Sequence, residues 1–217
     1  LSQLIYGSQV SLLVGLAAGL LSTIVAVLIG LSWGYMRGFA AEVIGFIVNL
    51  FLVIPGLPLM IVIAAYLQNG GILMIIAVIV VTGWAWGARV LRSQTQSLRG
   101  NDFVTSAQFS GDSRARIVFR EILPNMTSII AGTLFGAATA AILAEAGLEF
   151  LGLGDSSIVS WGTMLYWAQN SNSLLTGQWL LLFAPGLCIA LLALSLTLIN
   201  FGVDGISNPR LREGKGR

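Results

Sequence analysis

Apolar positions in this chain come in long unbroken blocks, and the polar ones are gathered between them. No charged residue occurs between Leu1 and Met36. A run of about 20 apolar residues crosses the roughly 30 Å hydrocarbon core of a bilayer. On that scale the blocks predict spans at about residues 10–35, 43–67, 72–88, 126–146 and 179–201. The runs are continuous rather than alternating at a period of two, which predicts helices and not a barrel. The expected fold class is an all-α polytopic membrane protein, one transmembrane domain over residues 1–217 with five spans.

Composition agrees with that reading. The chain is 56% hydrophobic and 9% charged, with no histidine and a mean hydropathy of +0.89. A soluble domain carries about 25% charged residues. The net charge of +2 implies no nucleic acid partner, because the basic residues cluster at span edges, where they set topology. The one cysteine, Cys188, lies in an apolar run, so no disulfide framework can form.

Orientation follows from the placement of Lys and Arg, which favour the cytoplasmic side. None occurs between Arg120 and Arg210, so residues 147–178 are expected outside. The tail with Arg210, Arg212, Lys215 and Arg217 is then inside, as is the stretch from Arg37 to Glu42. The Gln68–Gly71 turn falls outside, together with Leu1. Five spans with an external start predict one further helix before Leu1, giving six with both ends cytoplasmic. The opening residues show no initiator Met, charged n-region or cleavage site.

Against this apolar background stands a polar island, Arg89 to Glu121, with Arg89, Arg92, Arg99, Arg114, Arg116 and Arg120. Burying six arginines in lipid would cost on the order of 15–20 kcal/mol, so the island is not a span. Asn101 and Asp102 suit a helix start, Gly111 a stop, and Asp112 and Ser113 a second start. Pro124 bars regular helix around Leu123. Two short helices bent at Gly111 are expected to form a compact knob at residues 89–124, between the third and fourth spans.

Other features leave alternatives open. Pro55 and Pro58 interrupt the second span, as a packing kink or as irregular backbone beside a translocation path. Gly15 and Gly19, and the stripe Gly132, Gly136 and Ala140, should let helix backbones approach closely. Glu145 and Glu149 share a helix face at the outer end of the fourth span. Solvation at the interface or a place in an outward vestibule both suit them. Trp161, Tyr166, Trp167 and Trp179 suit an interfacial outer segment, and Trp84 and Trp86 an interface at the end of the third span. No phosphate-binding loop, nucleophile elbow or metal-ligand cluster is present, and neither a catalytic residue nor a bound metal is expected.

The knob also carries a family resemblance. Gly111, Ile117, Leu123 and Pro124 fall on the spacing of the EAA loop of bacterial ABC importer permeases. The E-A-A triplet itself reads Thr105-Ser106-Ala107, and Glu121 stands where a histidine is usual. Arg89–Gln94, Ala141–Ala146, Phe150–Gly154, Ser160–Leu165, Asn200–Asp204, Ile54–Pro58 and Leu4–Gly7 resemble the dipeptide/oligopeptide/nickel permease family, in its C-type branch. That branch usually begins with one more helix than this chain has.

The resemblance implies a type I ABC importer permease bundle in a bacterial or archaeal inner membrane. It also implies a second homologous permease, two cytosolic ABC ATPase subunits that bind the ATP, and an extracytoplasmic substrate-binding protein. The coupling residues would be Thr105, Ser106, Ala107, Gly111, Ile117, Glu121, Leu123 and Pro124, with Pro55, Pro58, Glu145 and Glu149 candidates for the path. No cofactor is expected in this chain. Peptides are the expected cargo, with oligosaccharides or nickel complexes as alternatives. A self-sufficient secondary transporter is the rival from another class, although such proteins usually carry ionisable residues within their spans.

Overall fold

A computed structural model describes residues 1–67 and 71–207, the last four by backbone alone. Most of the Gln68–Gly71 turn and the whole basic tail from Arg210 lie outside the described residues. The described residues form α1 (Ser2–Tyr35), α2 (Phe39–Val53), α3 (Gly56–Tyr66), α4 (Ile72–Leu98), α5 (Asp102–Phe109), α6 (Arg114–Arg116), α7 (Thr127–Phe150), α8 (Trp161–Asn170) and α9 (Leu180–Ser207). Four helices are long and apolar enough to cross a membrane, or five if the broken pair α2–α3 counts as one span. Among the described residues, each of the five predicted spans is thus covered by a helix or by the bent pair, with shifted ends.

The proline-bearing span is two helices rather than one kinked helix. Ile54 takes the extended backbone (φ −70°, ψ 127°) that a residue before proline prefers. Pro58 falls in the first turn of α3, where a missing N–H costs no intrahelical bond. The third span also differs, since α4 runs on to Leu98. Arg89 and Arg92 are therefore helical residues, not loop residues.

Regular α-helix is barred around Leu123, as Pro124 requires, but the helical path does not end there. From α6 the chain passes through a π turn (Ile117–Ile122) and a 3-10 turn (Leu123–Met126) straight into α7. The Leu123 N–H donates to the Val118 carbonyl, five residues back. The Asn125 side chain donates to the Glu121 carbonyl at 2.7 Å. Widening and then tightening the winding lets the helix tolerate a residue with no N–H to give.

The chain divides into two compact units. One comprises residues 1–22, 55–83 and 135–199, the other 23–54, 84–134 and 200–217. In the first, Val14, Ala18, Ile75, Val78, Ala141 and Leu148 form one buried cluster, and Ala138, Ile142, Trp161 and Ile189 form another. Gly19 lies against the Ala138 backbone, where an added Cβ would come within 2.6 Å of the Ala138 Cα; Gly15 lies against Ile142. With no hydrophobic drive between helices in lipid, such close backbone contact is what holds them. Gly136 instead faces open space, so only the α1 half of the expected small-residue packing is used there.

In the second unit the core is built on Leu31, Trp33, Val48, Trp84, Leu91, Val104, Ile117 and Ile122. Trp84 is buried against Phe51, ring centroids 5.2 Å apart, while Trp86 is exposed. Only the second of the two tryptophans is therefore free to meet an interface. Every described arginine (Arg37, Arg89, Arg92, Arg99, Arg114, Arg116 and Arg120) belongs to this unit, and none to the first.

Candidate functional site

The knob is built on the second unit. Its first helix, α5, takes Asn101 as N-cap, but the Asn101 side chain makes no capping bond. The helix ends in a Schellman arrangement: Asp112 N–H donates to the Ala107 carbonyl at 3.1 Å, and Gly111 N–H to the Gln108 carbonyl at 3.1 Å. Gly111 has φ +81°, a left-handed conformation that a residue without Cβ adopts at little cost. The expected bend at Gly111 is present. Beyond it, Ser113 Oγ accepts from the Arg116 N–H at 3.3 Å, so Ser113 caps the helix that follows. Asp112 instead pairs with Arg116 at 3.3 Å.

The coupling candidates separate into two groups. Ile117 is fully buried in the unit's core, with Ala107 and Leu123 packed against that core. These three hold the knob in place. Thr105, Ser106, Gly111 and Pro124 are exposed, and Glu121 is half-buried. The Thr105 hydroxyl bonds back to the Asn101 carbonyl at 3.2 Å, and the Ser106 carbonyl accepts from Ser110 Oγ at 3.0 Å. Phe109, beside the bend, is 88% exposed. Sequence reading passed it over, although an aromatic residue two positions before the turn glycine was the available signal.

Three other arginines of the island, Arg89, Arg92 and Arg99, serve the fold. Arg89 donates to Asn49 Oδ1 at 2.6 Å. The Arg92 guanidinium lies over the Trp33 ring, 3.9 Å from its centroid. Arg99 donates to the Tyr35 carbonyl at 3.1 Å, at the end of α1, where the helix dipole favours a cation and α1 has no basic residue of its own.

The second candidate region, in the first unit, overturns the expectation of interfacial solvation. Glu145 and Glu149 are both buried, 0% and 3% exposed. Ser11 Oγ donates to Glu145 Oε1 at 3.1 Å and accepts from the Trp161 N–H at 3.2 Å. Ser160 Oγ donates to Glu149 Oε2. The backbone N–H of Thr163 donates to Ser160 Oγ at 3.0 Å, and that of Ser160 to Thr163 Oγ1 at 2.8 Å, a capping box that starts α8. These bonds offset the burial of the oxygens they reach, whereas Glu145 Oε2 has no hydrogen-bond partner among the described residues.

Pro55 and Pro58 are exposed and take no part in that network. Ser11 and Ser160 had no distinguishing mark as sequence, because their partners are 134 and 11 residues away. Of the aromatics expected in an interfacial segment, Trp161 is buried and donates its Nε1–H to the Leu4 carbonyl at 3.0 Å, whereas Trp167 and Trp179 are exposed.

Comparison with known proteins converges on one family. Residues 26–213 match the binding-protein-dependent transport system inner membrane component. The oligopeptide transport system permease protein OppC of Mycobacterium tuberculosis is 32% identical over 95% of this chain and 69% of that protein. The dipeptide transport system permease protein DppC of Bacillus subtilis is 31% identical over 95% of this chain and 64% of that protein. A putative peptide transport system permease of Brucella suis is 34% identical, covering 97% and 70%.

Among solved structures, a chain from inward-facing conformations of the MetNI methionine ABC transporter superposes with a TM-score of 0.73. It covers 94% of this chain and 97% of that chain, at 16% identity, and so speaks to the fold. The chain belongs to the family of binding-protein-dependent transport system inner membrane components, as a multi-pass ABC importer permease of the DppC/OppC-like kind.

Proposed function

We propose that this chain, with a second homologous permease, forms the path by which peptides cross the inner membrane, and that two cytosolic ATPase subunits drive it through the knob Thr105–Pro124. In this reading the knob enters a groove on the ATPase as a helix in a groove. ATP is bound and hydrolysed by those subunits, and this chain needs no cofactor of its own. An extracytoplasmic binding protein delivers the peptide at residues 147–178, and the C-terminus is cytoplasmic. Closure of the ATPase pair pushes on the knob and switches the bundle between inward- and outward-facing states. Pro55, Pro58, Glu145 and Glu149 are the residues proposed to border the path, the two carboxylates as groups that hold its outer wall.

The observation that carries the reading is the exposed bend at Gly111, anchored by buried Ile117 and presenting Phe109 to solvent. The test is Gly111→Trp, measured by peptide uptake in cells and by copurification of the ATPase subunits. Uptake should be lost. Normal uptake together with normal copurification would show that the knob does not couple.

A further inference from the structure

Where the apolar run of α1 ends, a cavity of about 400 Å³ opens in the second unit. Its wall includes Tyr35, Met36, Arg37, Arg99, Gln108 and Arg114. Three arginines thus line one space. The wall's carboxylate, Asp112, is already engaged by Arg116 at 3.3 Å. Neither the Arg37 nor the Arg114 side chain has a hydrogen bond or ion pair among the described residues. Arg99 directs Nη1 to the Tyr35 carbonyl at 3.1 Å, which leaves further N–H donors uncommitted. Like charges converging on a cavity repel one another unless an anion sits between them.

We propose that this cavity binds the phosphate of an anionic phospholipid headgroup. The guanidinium fork matches phosphate oxygens in pairs, which a lone ammonium cannot do. The position selects lipid over free phosphate. Tyr35 closes a helix long and apolar enough to span the membrane, and Arg37 is the first charge after it. Met36, in the wall, and Phe39 just beyond are 41% and 81% exposed. They are apolar surface of the kind that acyl chains cover beside a headgroup site. Basic pockets at the cytoplasmic ends of spanning helices hold lipid headgroups by this chemistry. A bound phosphate would tie the start of α6 and the residue after α4 to the end of α1.

The test uses the whole transporter assembly, purified from a membrane containing phosphatidylglycerol and analysed by native mass spectrometry through graded delipidation. Wild type should retain phosphatidylglycerol to the last step. The double variant R37Q/R114Q should lose about tenfold or more of that retention, since two charge-assisted contacts are removed. R37K/R114K, which keeps the charge, should hold an intermediate amount, and thermal unfolding of both variants checks that they are folded. Equal retention by wild type and R37Q/R114Q overturns the proposal. So does binding of inorganic phosphate by delipidated wild type that retains no lipid, which would make this a free-phosphate site. Loss of the copurifying ATPase from R37Q/R114Q with lipid retention unchanged overturns it as well, because the arginines would then serve a protein partner.

Discussion

Ser11 on α1 and Glu145 on α7 are joined by a buried hydrogen bond of 3.1 Å, and the same serine oxygen receives the Trp161 N–H that opens α8. One hydroxyl therefore pairs with one oxygen of a carboxylate and one N–H of a helix N-terminus, while Glu145 Oε2 has no hydrogen-bond partner among the described residues. In Ser11→Ala both partners stay buried and unpaired, at about 1–3 kcal/mol for each. Thermal unfolding of the detergent-solubilised protein should drop accordingly. An unchanged midpoint would mean the bond is not made.

Gly19 and Gly136 supply a matched pair of tests. A side chain at Gly19 would collide with the Ala138 backbone, whereas at Gly136 it would meet nothing within 4 Å. Gly19→Val should cost about 1–3 kcal/mol through overpacking. Gly136→Ala should be neutral or should stabilise by up to about 1 kcal/mol, because glycine is a poor helix former. Comparing their unfolding midpoints distinguishes the two faces. Equal losses would mean that α7 is rotated from the orientation described.

Arg92 on Trp33 is a cation–π contact and not an exposed charge. Arg92→Gln should destabilise by about 0.5–2 kcal/mol. The effect should shrink once Trp33 is already leucine, which a double-mutant cycle measures. Additive losses would show that the two side chains do not interact.

Phe109 offers a way to separate stability from assembly. It packs on little in this chain, so Phe109→Ala should leave the permease's own unfolding within about 0.5 kcal/mol of wild type. Copurification of the ATPase should fall sharply if the knob docks as proposed. Retained copurification would move the contact elsewhere.

Asp155, in the turns between α7 and α8, accepts hydrogen bonds from the Ser157 hydroxyl at 2.6 Å and from its backbone N–H at 3.0 Å. Those bonds favour the charged form and hold its carboxyl below the usual carboxylate range. A depressed folded value adds stability above the unfolded carboxylate's titration, and that stability is lost as pH falls through the folded value. Ser157→Ala should move the Asp155 midpoint upward in a carboxylate-resolved NMR titration. A fixed midpoint would mean the serine does not set it.

Much of this was legible in the residues. Uncharged runs such as 1–36 specify spans by length alone, and the Gly111 bend was visible because one glycine separates two capping signals. Other features were hidden for physical reasons. The island looked like a loop because arginine usually marks water, yet Arg89, Arg92 and Arg99 find partners on distant segments. Pro124 marked the loss of regular helix, but the continuation past it was not legible, because a changed winding of the backbone leaves no mark in side-chain pattern. Glu145 and Glu149 looked like interface residues because the serine facing each carboxylate is remote in sequence or beyond the helix end.

The π turn at Ile117–Ile122 has a consequence for the start of the helix that follows. Such a turn is an α-helix carrying one residue too many, and a single residue corresponds to about 100° of rotation. The azimuth of the first side chains of α7, Ile129 and Ile130 included, is thus dialled in at the knob. Deleting one residue within that turn would leave the composition of α7 untouched and swing Ile129 and Ile130 off the core they pack against.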